Sequence, residues 1–266
     1  MQTIALLYHD IVPGKQYELS GFQKADAHIY KLSCEEFQRH LEQIVRATER
    51  PSRALDPPTN GQRRRLLLTF DDGGVSASLY IARLLEQFGW VGHFFVTTDR
   101  IGERGFLNES QIVDLHRRGH LIGSHSCSHP PRMSHCSVEQ MHEEWRESAR
   151  RLAGILGIPV TTASVPGGYY SRQVAAAAAR AGIRVLFTSE PVTSSHVVDG
   201  CTVLGRFGVQ QGVSSQWVAA VVSGRALPRF RRYLFWNGKK LLKTVGGESW
   251  LRMRRKILER RAMSNP

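Results

Sequence analysis

The chain has 266 residues, 41% of them hydrophobic and 22% charged, with a formal net charge of +13. Its length and apolar content exclude global disorder and allow one large α/β domain, while no apolar run approaches the roughly 20 residues that span a bilayer. Residues 225–266 carry 13 Lys and Arg against only Glu248 and Glu259, which leaves +2 for residues 1–224, so the basicity belongs to the C-terminal segment.

The N-terminus has neither a basic leader nor a small-residue cleavage site, so a cytoplasmic protein is expected. Thr3–Tyr8 reads as a strand, and Ser33–Val45 as a helix opened by a capping box of Ser33 and Glu36. Arg50–Arg65 is a Pro- and Arg-rich loop with the turn pair Asn60-Gly61. Strand Leu66–Phe70, helix Ser76–Phe88, strand His93–Val96 and helix Asn108–Arg118 follow, the last closed by Gly119. Next come strand Leu121–Gly123, helix Ser137–Ala153 with a second capping box (Ser137 and Gln140), strand Thr162–Val165 and helix Arg172–Ala181. Strands Val185–Thr188 and Val203–Phe207 precede a last helix, Ser214–Val222. Seven strands alternating with helices predict a parallel sheet curled into a closed or nearly closed barrel, with its chemistry at the strand ends. Cys34, Cys127, Cys136 and Cys201 form no C-x-x-C pair and are expected as separate reduced thiols.

Three segments at predicted strand ends carry candidate chemistry. In Thr69-Phe70-Asp71-Asp72-Gly73-Gly74, two carboxylates leave an apolar strand and enter a Gly-rich turn. One Asp there is often only a helix cap, but two Asp with two Gly suit a metal ligand beside a free base. In His125-Ser126-Cys127-Ser128-His129-Pro130, the two His would share a face four residues apart if the turn is helical, and Cys127 would point away. Two His and one carboxylate make a three-ligand site with positions left for water. Ser164-Val165-Pro166-Gly167-Gly168-Tyr169-Tyr170 is a turn whose backbone N–H groups could hold an oxyanion, although alone it reads as an ordinary βα turn.

In this order the three segments resemble the polysaccharide deacetylase family, the carbohydrate esterases with a NodB-like domain. T-F-D-D-G and H-S-x-x-H match that family's first two signatures letter for letter, and the resemblance covers about Thr3 to Val222. It implies an α/β fold, a distorted (β/α)7 barrel, expected over residues 1–224, while the charge distribution sets residues 225–266 apart as a basic, partly helical extension. It implies Asp71 as general base, Asp72, His125 and His129 as ligands of a divalent metal (zinc is the usual assignment), and a backbone N–H of Gly167 at the oxyanion. Pro166, Gly168 and Tyr169 would meet the substrate, a carbohydrate bearing N-acetyl groups. The chain departs from the pattern in three places. Ser164 stands where the third motif has an Arg that orients the base, no Asp-x-x-Asp-Trp motif lies around Leu186–Pro191, and Val203-Leu204-Gly205-Arg206-Phe207 lacks the His that serves as general acid. The deacetylases of exported poly-N-acetylglucosamine look similar at Tyr8-His9: an N-terminal Tyr-His there takes the acid's place, and His9 is expected in that role.

The expected reaction is metal-assisted hydrolysis of an N-acetylated sugar, whether polymeric, oligomeric or lipid-linked. A related amidase acting on a non-sugar and a non-catalytic carbohydrate-binding member of the fold are the alternatives. The basic segment interleaves its cations with Phe230, Leu234, Phe235, Trp236, Trp250 and other apolar residues. That pattern suits either peripheral contact with an anionic membrane or a helix or two packed on the outside of the barrel with solvated basic side chains; no nucleic-acid-binding motif accompanies it, and no nucleic acid partner is expected.

Overall fold

The computed structural model describes residues 2–47, 51–54 and 64–237. The turn Asn60-Gly61, most of the expected 50–65 loop and everything from residue 238 onward lie outside the described residues. Arg64 and Arg65, expected in that loop, open a strand instead.

The strands, in chain order, are β1 (Gln2–Tyr8), β2 (Ile11–Val12), β3 (Leu32–Ser33), β4 (Arg64–Phe70), β5 (His93–Val96), β6 (Leu121–Ser124), β7 (Thr162–Ser164), β8 (Val185–Phe187), β9 (Ser195–Val198), β10 (Cys201–Leu204) and β11 (Phe207–Gly208). The helices are α1 (Ala25–His28), α2 (Cys34–Ala47), α3 (Ala82–Glu86), α4 (Glu109–Arg117), α5 (Val138–Leu156), α6 (Arg172–Arg180), α7 (Ser215–Val222) and α8 (226–237).

Nine strands form one curled sheet in the order β11-β1-β4-β5-β6-β7-β8-β10-β9, parallel throughout except for β9 at the edge. Ile4–Tyr8 and Leu66–Phe70 are buried at every position, as strands covered on both faces must be. Ala5, Leu67, Phe95, Val185, Phe187 and Leu204 fill the inside of the curl, and the helices pack on its outside.

The strand expected at Val203–Phe207 is two strands, and this shapes the site. Its first half pairs with β8, its second half pairs with β1 through Leu6↔Phe207 and Leu7↔Gly208, and Gly205-Arg206 cross between them. The first and last strands are therefore neighbours, as the barrel reading requires. The chain itself carries the closure.

Both expected capping boxes form: Glu36 N donates to Ser33 Oγ at 3.1 Å, and Gln140 N to Ser137 Oγ at 3.1 Å. The expected helix Ser76–Phe88 instead opens with a π-helical turn, Ala77–Ile81, before α3. Its start is anchored from outside, since Ser76 N donates to Ser20 Oγ and Ser76 Oγ to Asp10 Oδ1. The hairpin β9–β10 had a legible signal that the sequence reading passed over. Asp199-Gly200 joins the two strands with both residues at positive φ, 49° and 85°, as a tight hairpin demands. The four cysteines are free thiols. Among the described residues, no helix is long and apolar enough to cross a membrane.

Candidate active site

β4 delivers Asp71 and Asp72 to the rim. Asp71 N donates to Tyr8 O, which ties the end of β4 to the end of β1. The chain then turns with φ of +77° at Asp72 and +79° at Gly73, the left-handed region that Asp tolerates and Gly favours. At Gly73 a Cβ would lie 3.1 Å from the Val96 backbone, and at Gly74 it would overlap the Asp10 carboxylate. These two glycines are therefore steric requirements of the turn.

The loop after β6 brings His125 and His129 to the same point, though not by the expected helical turn. Ser126 and His129 take positive φ, 63° and 58°, and His129 N donates to Ser126 Oγ. Glu144 of α5 braces the loop by accepting from the backbone N–H of Cys127 and Ser128, at 2.8 and 2.9 Å, and from Ser128 Oγ. Cys127 points away, as expected, with its thiol donating to Asp99.

Asp72 Oδ1 lies 3.3 Å from His125 Nε2 and 3.6 Å from His129 Nε2. One ligand atom from each of the three residues falls within 4.8 Å of the others. His125 Nδ1 faces the Ser164 carbonyl at 3.0 Å and Ser164 Oγ at 2.6 Å. A carbonyl only accepts, so Nδ1 carries the proton and Nε2 turns its lone pair to the point shared with Asp72. Burial disfavours a charge on His125, yet the carboxylates of Asp71 and Asp72 outweigh it and raise its pKa. The donor set and the negative surroundings both fit a divalent cation.

Asp71 is held by a residue the sequence reading did not select. Arg206, fully buried, donates Nη1 to Asp71 Oδ1 at 2.7 Å and Nη2 to Oδ2 at 2.8 Å, while its Nε donates to Thr188 O. Its guanidinium lies near the faces of Phe95 and Phe187, and Ser164 Oγ adds a bond to Asp71 Oδ1 at 3.0 Å. Burial pushes the Asp71 carboxyl up, but Arg206 and His125 prevail and hold it below the usual carboxylate range.

His9 follows β1 and lines the same small cavity as Asp71. Its ring packs against Tyr30 with centroids 4.7 Å apart, and among the described residues its buried Nδ1 has no hydrogen-bond partner. After β7, Pro166–Gly168 forms a short 3-10 turn with Gly167 at φ +63°. Tyr169 stands beside it, near Arg132 and His135.

Residues 59–186 match the family model described as polysaccharide deacetylase. That segment belongs to the polysaccharide deacetylase family. YxkH of Bacillus subtilis (strain 168), named for the same family, is 24% identical over 217 residues, 82% of this chain and 75% of its own. Among solved structures, the deacetylase PplD of Streptococcus pyogenes superposes with a TM-score of 0.67 at 19% identity, over 81% of this chain and 96% of its own. IcaB from Ammonifex degensii gives 0.68 at 19% identity, over 84% and 97%. The two likenesses establish the fold, the NodB-type curled barrel.

Ser164 stands where the resemblance implied an Arg, and a guanidinium reaches Asp71 instead from the crossing between β10 and β11. The sequence carries a signal for it. Arg206 is the only charged residue among Val203, Leu204 and Phe207, and a cation in an apolar strand needs a buried acid.

Proposed function

We propose that the chain is a metal-dependent hydrolase that removes N-acetyl groups from an N-acetylhexosamine sugar. The observation that carries this reading is the convergence of Asp72 Oδ1, His125 Nε2 and His129 Nε2 beside an Asp71 fixed by Arg206. Zinc suits two imidazole nitrogens and one carboxylate oxygen, with positions left for water.

The chemistry that a bound divalent cation supplies is polarisation of an acyl carbonyl and easier deprotonation of water. The protein's residues have separate tasks. Asp72, His125 and His129 would hold a divalent ion. Asp71, kept ionised by Arg206, accepts a proton from the attacking water; Oδ2 makes a single bond to Arg206 and keeps a lone pair for it. The Gly167 N–H is assigned to the oxyanion, and His9 gives a proton to the leaving nitrogen as the C–N bond breaks. Water and the N-acetyl amide thus become acetate and a free amine. Pro166, Gly168 and Tyr169 form the wall against which the sugar is placed. The basic segment 225–266 favours a sugar held at a surface, polymeric or lipid-linked.

Acetate release across N-acetylglucosamine oligomers, lipid-linked N-acetyl sugars and small non-sugar amides tests the reading. Release from the sugars and none from the amides is expected. Turnover confined to the amides would replace the sugar with another substrate class.

A further inference from the structure

Helix α8 sits on the barrel in the reverse of the usual sense. Arg232 faces the protein, its Nη2 donating to Gly208 O and its guanidinium lying over the Trp217 ring at 5.6 Å, while Arg229 donates to the Gly224 and Arg225 carbonyls where the helix begins. The stripe at Leu227, Phe230 and Leu234, spaced i, i+3 and i+7, turns outward and is 65%, 57% and 53% exposed. A soluble helix ordinarily buries such a stripe.

The inward contacts also place this helix relative to the site. Gly208, which accepts from Arg232, is the register partner of Leu7, two residues before His9. The C-terminal half of α8 therefore lies on the His9 side of the rim.

We propose that α8 docks on an anionic lipid surface through Leu227, Phe230 and Leu234, with Arg225 and Arg231 meeting the headgroups, so that the rim at His9 stands beside the bilayer. Charge selects this occupant. Residues 225–237 hold four Arg and no acid, and residues 238–266 hold nine more cations against two acids. A second copy of the chain, or its own C-terminal segment folded back, would set like charges against each other. A surface of anionic lipids offers negative charge and an apolar interior together, and Tyr233 and Phe235 flank the stripe as interfacial residues do. The lipid contact stands independently of the chemistry, while its value for presenting a lipid-linked sugar rests on the deacetylase reading.

The test uses the full chain with vesicles of phosphatidylcholine alone and of phosphatidylcholine with phosphatidylglycerol in equal parts. Co-sedimentation is expected with the anionic vesicles only and should weaken as salt rises. Combined Leu227→Ser, Phe230→Ser and Leu234→Ser should lower vesicle affinity by about ten-fold or more, with an unchanged melting temperature and unchanged acetate release from a soluble oligosaccharide. Undiminished binding by this variant, or no binding by the parent chain, would overturn the proposal. So would a parent chain that light scattering shows to be a dimer and the variant a monomer, which would assign the stripe to a second copy. A parent chain that releases acetate yet binds no vesicles defeats this inference alone, and a parent chain that binds anionic vesicles yet releases no acetate defeats the deacetylase reading alone.

Discussion

Arg206 and Asp71, 135 residues apart in sequence, meet through a two-pronged pair in which each guanidinium Nη donates to a different carboxylate oxygen, at 2.7 and 2.8 Å. The pair is buried and is held by hydrogen bonds to Thr188, Thr69 and Ser164 around it. Such a fork fixes the plane of the carboxylate, which a point charge cannot do.

Arg206→Lys keeps the charge and loses the fork. Metal content should stay at the parent level and kcat should fall by about 10²-fold, the scale of a misplaced reacting group. Arg206→Gln leaves Asp71 as a buried carboxylate without its cation and should cost about 3–5 kcal/mol of stability. Metal analysis, steady-state kinetics and thermal unfolding of the two variants check this together. Parent-like kcat in Arg206→Lys would remove the positioning role.

Asp71 and Asp72 should respond differently to the same change. Asp71→Asn should retain metal and lose turnover by about 10²–10⁴-fold, as expected when an acid–base group is removed. Asp72→Asn should lose the metal itself, because its Oδ1 lies 3.3 and 3.6 Å from the two Nε2 atoms and completes the three-ligand set. Elemental analysis of the two purified variants distinguishes base from ligand; the reverse pattern would exchange their roles.

His9→Ala should depress kcat strongly while leaving metal content unchanged. A general acid must be protonated to act, so the parent loses activity on the alkaline side, and the variant should lack that limb. A pH–rate profile with both limbs intact and parent-like rates would assign the acid elsewhere.

Glu144 touches none of the proposed ligands yet closes the loop that carries two of them. Glu144→Ala leaves the N–H groups of Cys127 and Ser128 without their acceptor, at a cost of about 1–3 kcal/mol. Metal affinity should fall, because Ser126 and His129 must hold positive φ for the His residues to converge. Titration with zinc, read by calorimetry, should show weaker binding than in the parent, and an equal affinity would make the loop self-supporting.

Much of the frame was legible because period and punctuation agreed along the chain. Leu66–Phe70 and His93–Val96 appear as apolar runs bounded by turns, and Ser137 with Gln140 marks the start of α5. The T-F-D-D-G and H-S-x-x-H segments placed the three candidate ligands. Local pattern could not show how 125–129 turns, since that depends on Glu144 sixteen or seventeen residues away. Nor could it show that Gly205-Arg206 interrupts a strand to send a guanidinium to Asp71, because only the closed sheet brings those ends together. The outward stripe of α8 was visible as an apolar and basic mixture, but which side faced the barrel was set by Gly208 and Trp217.

The most direct test of the central claim is acetate release from an N-acetylglucosamine oligomer by the zinc-loaded chain, repeated after chelation and again after zinc is restored. Release should disappear with the metal, return with it, and be absent from the combined His125→Ala, His129→Ala variant. Undiminished release from the chelated protein, or none from protein holding one zinc per chain, would contradict it.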